Sequence, residues 1–252
     1  MGERVKLSPF NSEVTEDHLP AARFFSNSHT TDYGIEELAD GEETLFVDGE
    51  WEIPEFGDFY KKYSDIYVYL MSLKRRDDAQ ASGTERRSII DAFLTKPFKG
   101  GSSYLSLFND LKASLPYSLR PGLEKMEYAS PGEMDIRGDA DVFSGIEDLV
   151  KNFLVSSSEI ETLHKELRDY LSESGLLAIR AGDRELSVEQ ARFVQEKCRE
   201  LDATMGVDKF EALIDITGGN ILVVSKITLA VYRRLSVASS YFAEGRVSYE
   251  AH

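Results

Sequence analysis

A chain of 252 residues, 42% hydrophobic and 29% charged, has the composition of a folded globular protein and not that of a disordered chain. Its single cysteine, Cys198, excludes an intramolecular disulfide, and its formal net charge is −16. The N-terminal stretch lacks the apolar core of a secretory signal and no later run reaches membrane length, so we expect a cytoplasmic protein.

The acidity is concentrated at the start of the chain. Residues 1–58 hold 15 acidic and three basic residues, a balance of −12, whereas the remainder contributes only −4. Such a field repels nucleic-acid phosphate and anionic lipid and attracts a basic protein surface. We therefore expect no direct nucleic-acid or membrane binding through this region. The alternative interpretation is that these charges only solvate an arm.

The first third of the chain mixes irregular, β and helical patterns. Residues 1–42 show little periodicity and predict a largely irregular arm. Residues 44–53 have the form of two short strands around Asp48-Gly49, a dipeptide typical of a type I′ turn, which predicts a hairpin. The aromatic-rich residues 56–73 leave helix or strand open, because helical spacing gives way to β-rich composition. Residues 77–84 predict a loop.

The middle of the chain predicts one helix and a second β unit. A helix is expected to begin near Ser103, because apolar residues recur at helical spacing from Leu105 to Leu115. Farther on, Met134 and Ile136 alternate with charged residues, as in a half-buried strand.

The last part of the chain predicts helices with clear ends. Two capping-box patterns, 158–161 and 187–190, each predict a helix N-terminus, and Gly175 has the position of a left-handed C-terminal cap. The helix after Ser187 carries Cys198 on its apolar side, where a thiol is more often inert packing than a nucleophile. An apolar stripe from Ile221 to Phe242 predicts a long amphipathic helix.

These patterns together predict an α+β fold. It is rich in helix, with small, mostly antiparallel β elements in the N-terminal half and a helical C-terminal layer. We divide the chain into the acidic arm at 1–42, a mixed α/β region at 43–138 and a helical region at 139–252 that packs with the mixed region as one body.

The first candidate site is an anion-binding segment at the start of the helix predicted near Ser103. Glycines let the backbone approach a phosphate, and a helix N-terminus attracts negative charge. The spacing departs from that of a P-loop, and glycines and serines commonly do no more than break and cap helices. The residues of this segment are Lys96, Lys99, Gly100, Gly101, Ser102 and Ser103.

The second candidate site is a cationic group on the last helix, formed by Lys226, Arg233 and Arg234. Arginines gathered in space bind a phosphate or an acidic partner, and the alternative is that they are scattered in solvent. Asp139 follows Ser102 after 36 intervening residues, and Asp141 lies two residues farther on. In nucleotidyltransferases, two carboxylates that hold magnesium lie close in sequence to a Gly-Ser helix start. The spacing here departs from that pattern, so we expect one of these aspartates to cap a helix.

No pattern assigns a metal, a cofactor or a reaction. His164 is the one histidine within a predicted helix, and no second histidine or cysteine lies at ligand spacing from it. The chain contains neither the nucleophile elbow of a serine hydrolase nor a dinucleotide-binding fingerprint. We therefore predict no metal site and no cofactor, and the sequence leaves open whether the protein is an enzyme.

Two functional hypotheses follow. The first is a non-catalytic intracellular interaction or regulatory protein that uses its acidic surface and its amphipathic C-terminal helix to bind a macromolecular partner, in the simplest case a protein with a basic surface. The second is an enzyme or sensor for a nucleotide or other phosphate ligand bound at 96–103. The long last helix also predicts a homo-oligomer formed through residues 219–243.

Overall fold

A computed structural model gives the structure of the chain and describes residues 41–94, 105–129, 131–177 and 186–250. Within these ranges the chain forms seven α-helices and four β-strands, and the α+β class is confirmed. The described residues belong to one compact unit, residues 37–252. The helices are α1 (Ile53–Asp77), α2 (Gly83–Leu94), α3 (Leu105–Ser114), α4 (Ala140–Glu173), α5 (Val188–Thr204), α6 (Phe210–Ile216) and α7 (Ile221–Ala243). The strands are β1 (Gly41–Val47), β2 (Gly122–Glu127), β3 (Gly132–Gly138) and β4 (Val247–Ser248).

The strands form one antiparallel sheet in the order β2-β3-β1-β4. The alternation that predicted β3 is confirmed, because Met134 and Ile136 lie on its buried face. In β1 the buried positions are Leu45 and Val47, which lie opposite Met134 and Gly132. Helices α4 and α7 contact the sheet through β1 and β4, and the charged residues of β3 lie on its other face.

The hairpin predicted around Asp48-Gly49 is wrong. Gly49 does take a positive φ of 76°, as a turn requires, but Glu52 begins a helix and no strand returns beside β1 at this point. Instead β1 pairs with β3, where Leu45 faces Met134. Asp48 lacks the positive φ that a type I′ turn also requires, so the predicted turn type is wrong as well. The strand partner of β1 comes from a distant part of the chain.

Residues 56–73, which the sequence left open between helix and strand, lie within α1. The helix begins after Glu52, whose backbone N–H donates to Glu55 Oε2 at 2.8 Å, and Pro54 lies in the first turn where it costs no hydrogen bond. Its β-rich stretch is buried almost all round, from Tyr63 to Tyr69. Burial on every side explains why the apolar pattern lacks a clean helical period.

The helix predicted to begin near Ser158 is part of a longer helix, α4, which begins at Ala140. The chain is non-helical only at Ser156 (φ −107°, ψ 16°), which marks a kink and not a helix end. The capping box predicted at 158–161 is therefore wrong, and the carbonyl of Ser158 instead accepts a bond from Thr162 Oγ1 at 2.8 Å. The predicted cap at Gly175 is confirmed, with φ 66°.

The capping box predicted at the start of α5 is confirmed. Ser187 Oγ accepts from the backbone N–H of Gln190 at 3.2 Å, and Gln190 Oε1 accepts from the N–H of Ser187 at 3.1 Å. Gly206, after the last turn, has a φ of 78°. Cys198 is fully buried on the apolar side of this helix, and burial raises the pKa of its thiol well above the ordinary value. A thiol in this state is a core residue.

Helix α7 lies at the centre of the helical layer. It packs against α1, α4, α5 and α6, and every residue from Ile221 to Tyr232 is buried. The predicted amphipathic stripe thus describes only one part of its buried surface. Within the described ranges, the helices lack the combination of length and apolarity that crossing a bilayer requires.

The junction between β3 and α4 is tight. A side chain at Gly138 would place its Cβ 2.7 Å from Phe143 Cζ and from Tyr67 Cε2, so only glycine fits. The next residue, Asp139, caps α4 by accepting from the N–H of Val142 at 3.1 Å, as the sequence predicted for one of this pair of aspartates. Its own N–H donates to Tyr67 Oη at 2.7 Å. These contacts fix the start of α4 against α1.

Candidate functional site

A cavity of about 310 Å³ lies between the second half of α1, the first turns of α4 and the residue that precedes α6. Its volume is at the small end of the range for sites that bind small organic molecules. Apolar groups form its inner wall and charged groups its rim. The lining residues are Leu70, Leu73, Lys74, Asp77, Asp141, Val142, Gly145 and Lys209.

One rim lysine is fixed by two carboxylates. Lys74 Nζ donates to both oxygens of Asp139, at 2.8 and 2.9 Å, and to Asp141 Oδ2 at 2.8 Å. Partial burial lowers the pKa of Lys74, but the bonds to the two aspartates outweigh it and hold the net pKa above its ordinary value. Lys74 is therefore a permanent cation that ties the end of α1 to the start of α4, and it is not a nucleophile at neutral pH.

The second rim lysine is Lys209, and its ammonium has no hydrogen-bonded or ion-paired acceptor among the residues that the structure describes. Its backbone is held in place. The buried carboxylate of Asp202 accepts from the N–H of Lys209 at 2.7 Å and from that of Phe210 at 2.9 Å. Burial raises the pKa of Asp202 to about 6, although these two bonds oppose the rise. The ammonium group of Lys209 is therefore available to bind an anion, and the backbone that carries it is held in place at the rim of the cavity.

Gly145 forms part of the cavity wall, in the second turn of α4. Glycine inside a helix costs about 0.5–1 kcal/mol relative to alanine, so its presence needs a reason. Close packing is not that reason, because a Cβ at Gly145 would meet only Leu70 Cδ1, at 3.8 Å. Its effect is to leave the cavity open, since a larger side chain there would extend into it.

We expect replacement of Gly145 by alanine to raise the free energy of unfolding by about 0.5–1 kcal/mol, because alanine loses less backbone entropy and a single methyl group fits. Urea unfolding measures the change. The matched comparison is Gly138→Ala, whose Cβ would collide with Phe143 and Tyr67, and which should lower the free energy of unfolding by about 1–3 kcal/mol. A loss of stability in Gly145→Ala would show that packing requires this glycine.

The sequence-predicted sites lie elsewhere. The whole anion-binding segment, Lys96 to Ser103, is outside the described residues. The cationic group on α7 is divided within the fold. Arg234 is buried against Asp65 at 3.1 Å, and buried Lys226 donates to the carbonyl of Leu177 at 3.0 Å, with its pKa lowered by burial to about 8. Arg233 is only half-buried.

Sequence reasoning missed Lys74, Lys209 and Gly145 as a group. Each comes from a different element, and no spacing along the chain joins them. The one local signal was Gly145, a glycine within a helical pattern, which commonly has a packing or functional reason.

Two further observations limit the chemistry that the described residues can perform. Groups of three or more His, Cys, Asp or Glu side chains that could hold a metal ion are not found in this part of the chain. The carboxylates at the cavity rim, Asp77 and Asp141, are each engaged by a cation: Asp77 accepts from Arg76 Nε at 2.7 Å, and Asp141 from Lys74. Comparison with protein-family models, with curated protein sequences and with solved structures gives no match for this chain.

Proposed function

We propose that this protein binds a small molecule with an apolar body and one anionic head, a carboxylate or a phosphate, in the cavity between α1 and α4, without catalysing a reaction on it. The observation that carries the proposal is Gly145. A helical glycine that packing does not require keeps open a cavity with an unpaired lysine on its rim.

The lining indicates the chemistry of the ligand. Leu73 and Val142 are buried and, with Leu70, offer apolar contact to a hydrocarbon or ring. Lys209 supplies a cation whose hydrogen bonds are unused, which suits a carboxylate or phosphate oxygen. Lys74 keeps its charge neutralised by Asp139 and Asp141 and so shapes the rim without competing for the anion.

The proposal favours binding over covalent catalysis because of the state of Lys74. A lysine that forms a Schiff base needs a lowered pKa, and that of Lys74 is raised. The proposal shares its ligand class with the phosphate-ligand hypothesis but places the site elsewhere. The hypothesis of a macromolecular partner remains a prediction, since most of the acidic arm at 1–42 lies outside the described residues.

The test uses phenyl phosphate and hexanoate as ligands, with binding to the full chain followed by ligand-observed NMR and calorimetry. We expect both to bind the native chain. In Gly145→Leu the binding of hexanoate should be abolished, because the side chain fills the cavity. In Lys209→Gln binding should weaken about tenfold, the loss of one charge-assisted hydrogen bond.

The matched control is Lys112→Gln, which removes the same charge from an exposed position on α3 and should leave affinity unchanged. Unfolding curves establish that each variant is folded. Equal binding of hexanoate to the native chain and to Gly145→Leu would overturn the proposal, as would the absence of hexanoate binding to the native chain.

A further inference from the structure

A second group of cations lies where α4 packs against α7. The neighbouring arginines of α7 point in different directions. Arg234 pairs with Asp65 in the core and lies with its guanidinium carbon 4.5 Å from the ring centroid of Phe108. Arg233 is half-buried and has no hydrogen-bonded or ion-paired acceptor among the described residues.

Two side chains of α4 complete the group. His164 stacks on Tyr232, the residue before Arg233, with ring centroids 3.7 Å apart and planes 13° from parallel. Arg168 follows His164 by four residues and therefore lies on the same face of α4, one turn farther along. Arg168 and Arg233 are both close enough to His164 that, after burial, their charges lower its pKa, to about 4.

The carboxylates near this group neutralise it only in part, since the charge of Asp169 opposes the effect of burial and the two arginines on the pKa of His164. Asp169 contacts Arg168 at 3.7 Å, a long distance between adjacent residues with exposed side chains. Burial and the charge of Glu161 raise the pKa of Tyr232. Arg233 itself is partly desolvated beside two other guanidinium groups, Arg168 and Arg234, which lower its pKa further. Like charges held together in a half-buried place cost free energy, and a bound anion offsets that cost.

We propose that Arg233, Arg168 and His164 form an oxyanion site for a phosphate group, separate from the cavity between α1 and α4. Two guanidinium groups offer planar pairs of donors that match phosphate oxygens. The stacked imidazole adds a neutral donor at the edge of the site. The group would take the phosphate of a small molecule, and it depends on none of the residues that line the cavity.

The test measures the titration midpoint of His164 by NMR in the full chain, with inorganic phosphate and with chloride at equal ionic strength. The other three histidines lie in residues 1–29 and at 252, so a His164→Gln spectrum assigns the signal. We expect phosphate to raise the midpoint by about one pH unit or more relative to chloride, because a bound anion favours the imidazolium. Arg233→Gln should abolish the phosphate-specific rise.

Two further variants separate the site from general charge effects. Arg87→Gln removes an exposed arginine on α2 and should leave the phosphate response unchanged. Arg233→Lys keeps the charge but loses the planar pair of donors, and should weaken phosphate binding by calorimetry about tenfold. Equal responses to phosphate and chloride in the native chain, or an undiminished response in Arg233→Gln, would overturn the proposal. In Gly145→Leu, where the cavity is filled, phenyl phosphate should still bind through this site, and its complete loss there would contradict the proposal.

Discussion

Replacement of Asp65 by alanine is expected to lower the free energy of unfolding by about 3–5 kcal/mol, because it removes one partner of a buried ion pair. Asp65 Oδ2 accepts from Arg234 Nε at 3.1 Å, and the two side chains are only 9% and 8% exposed. Without the carboxylate, a guanidinium group stays buried against Phe108 with no countercharge. Urea unfolding followed by circular dichroism measures the loss.

Two comparisons test the cause of this loss. Asp58→Ala removes an exposed carboxylate from the same helix, where it pairs with Lys62, and should cost less than about 0.5 kcal/mol. The double variant Asp65→Leu with Arg234→Met replaces the pair by apolar groups and should recover most of the stability. A loss below about 1 kcal/mol in Asp65→Ala would contradict the importance of the pair.

Replacement of Glu43 by glutamine is expected to stabilise the protein by about 1–2 kcal/mol at pH 8 and to have no effect near pH 4. Solvent screens this partly exposed carboxylate, which limits the gain. Glu43 lies on the side of β1 that faces the core. Burial and then the charge of Glu147 raise its pKa to about 7. Since the unfolded chain has the ordinary value of 4.5, the carboxyl group favours the fold at low pH, and this contribution is lost as pH rises from about 4.5 to 7.

The difference between the native chain and Glu43→Gln isolates this group, because other residues titrate in the same range. Burial and two arginines lower the pKa of His164 to about 4, so its contribution to stability is lost as pH falls from 6.5 toward 4, the opposite direction. The control Glu42→Gln changes the exposed neighbour on the same strand and should alter stability by less than about 0.5 kcal/mol at any pH. A pH-independent difference for Glu43→Gln would contradict the assignment.

Elements whose signals are local could be predicted from the sequence. The capping box of α5 joins Ser187 to Gln190, three residues away, and strand β3 shows its buried face by simple alternation. The cap of α4 at Asp139 follows the same rule. In each case the residues that fix the structure are near neighbours in the chain.

Elements that depend on contacts between distant residues could not be predicted from the sequence. The Asp48-Gly49 pattern predicted a hairpin, but β1 pairs with β3, which lies far along the chain. The capping pattern at Ser158 lies inside α4, where packing against α5 and α7 continues the helix through it. The candidate cavity could not be predicted for the same reason, since Lys74, Gly145 and Lys209 come together only in the folded chain.

The central position of α7 has a consequence for how the chain acquires its structure. The helix that α1, α4, α5 and α6 all contact is synthesised after all four of them, and β4 then pairs Val247 with Val47 across 200 residues. A growing chain on the ribosome therefore exposes the apolar faces of these four helices until α7 emerges. Interactions so far apart in sequence also slow folding, which lengthens the period in which nascent chains are open to aggregation or need a chaperone.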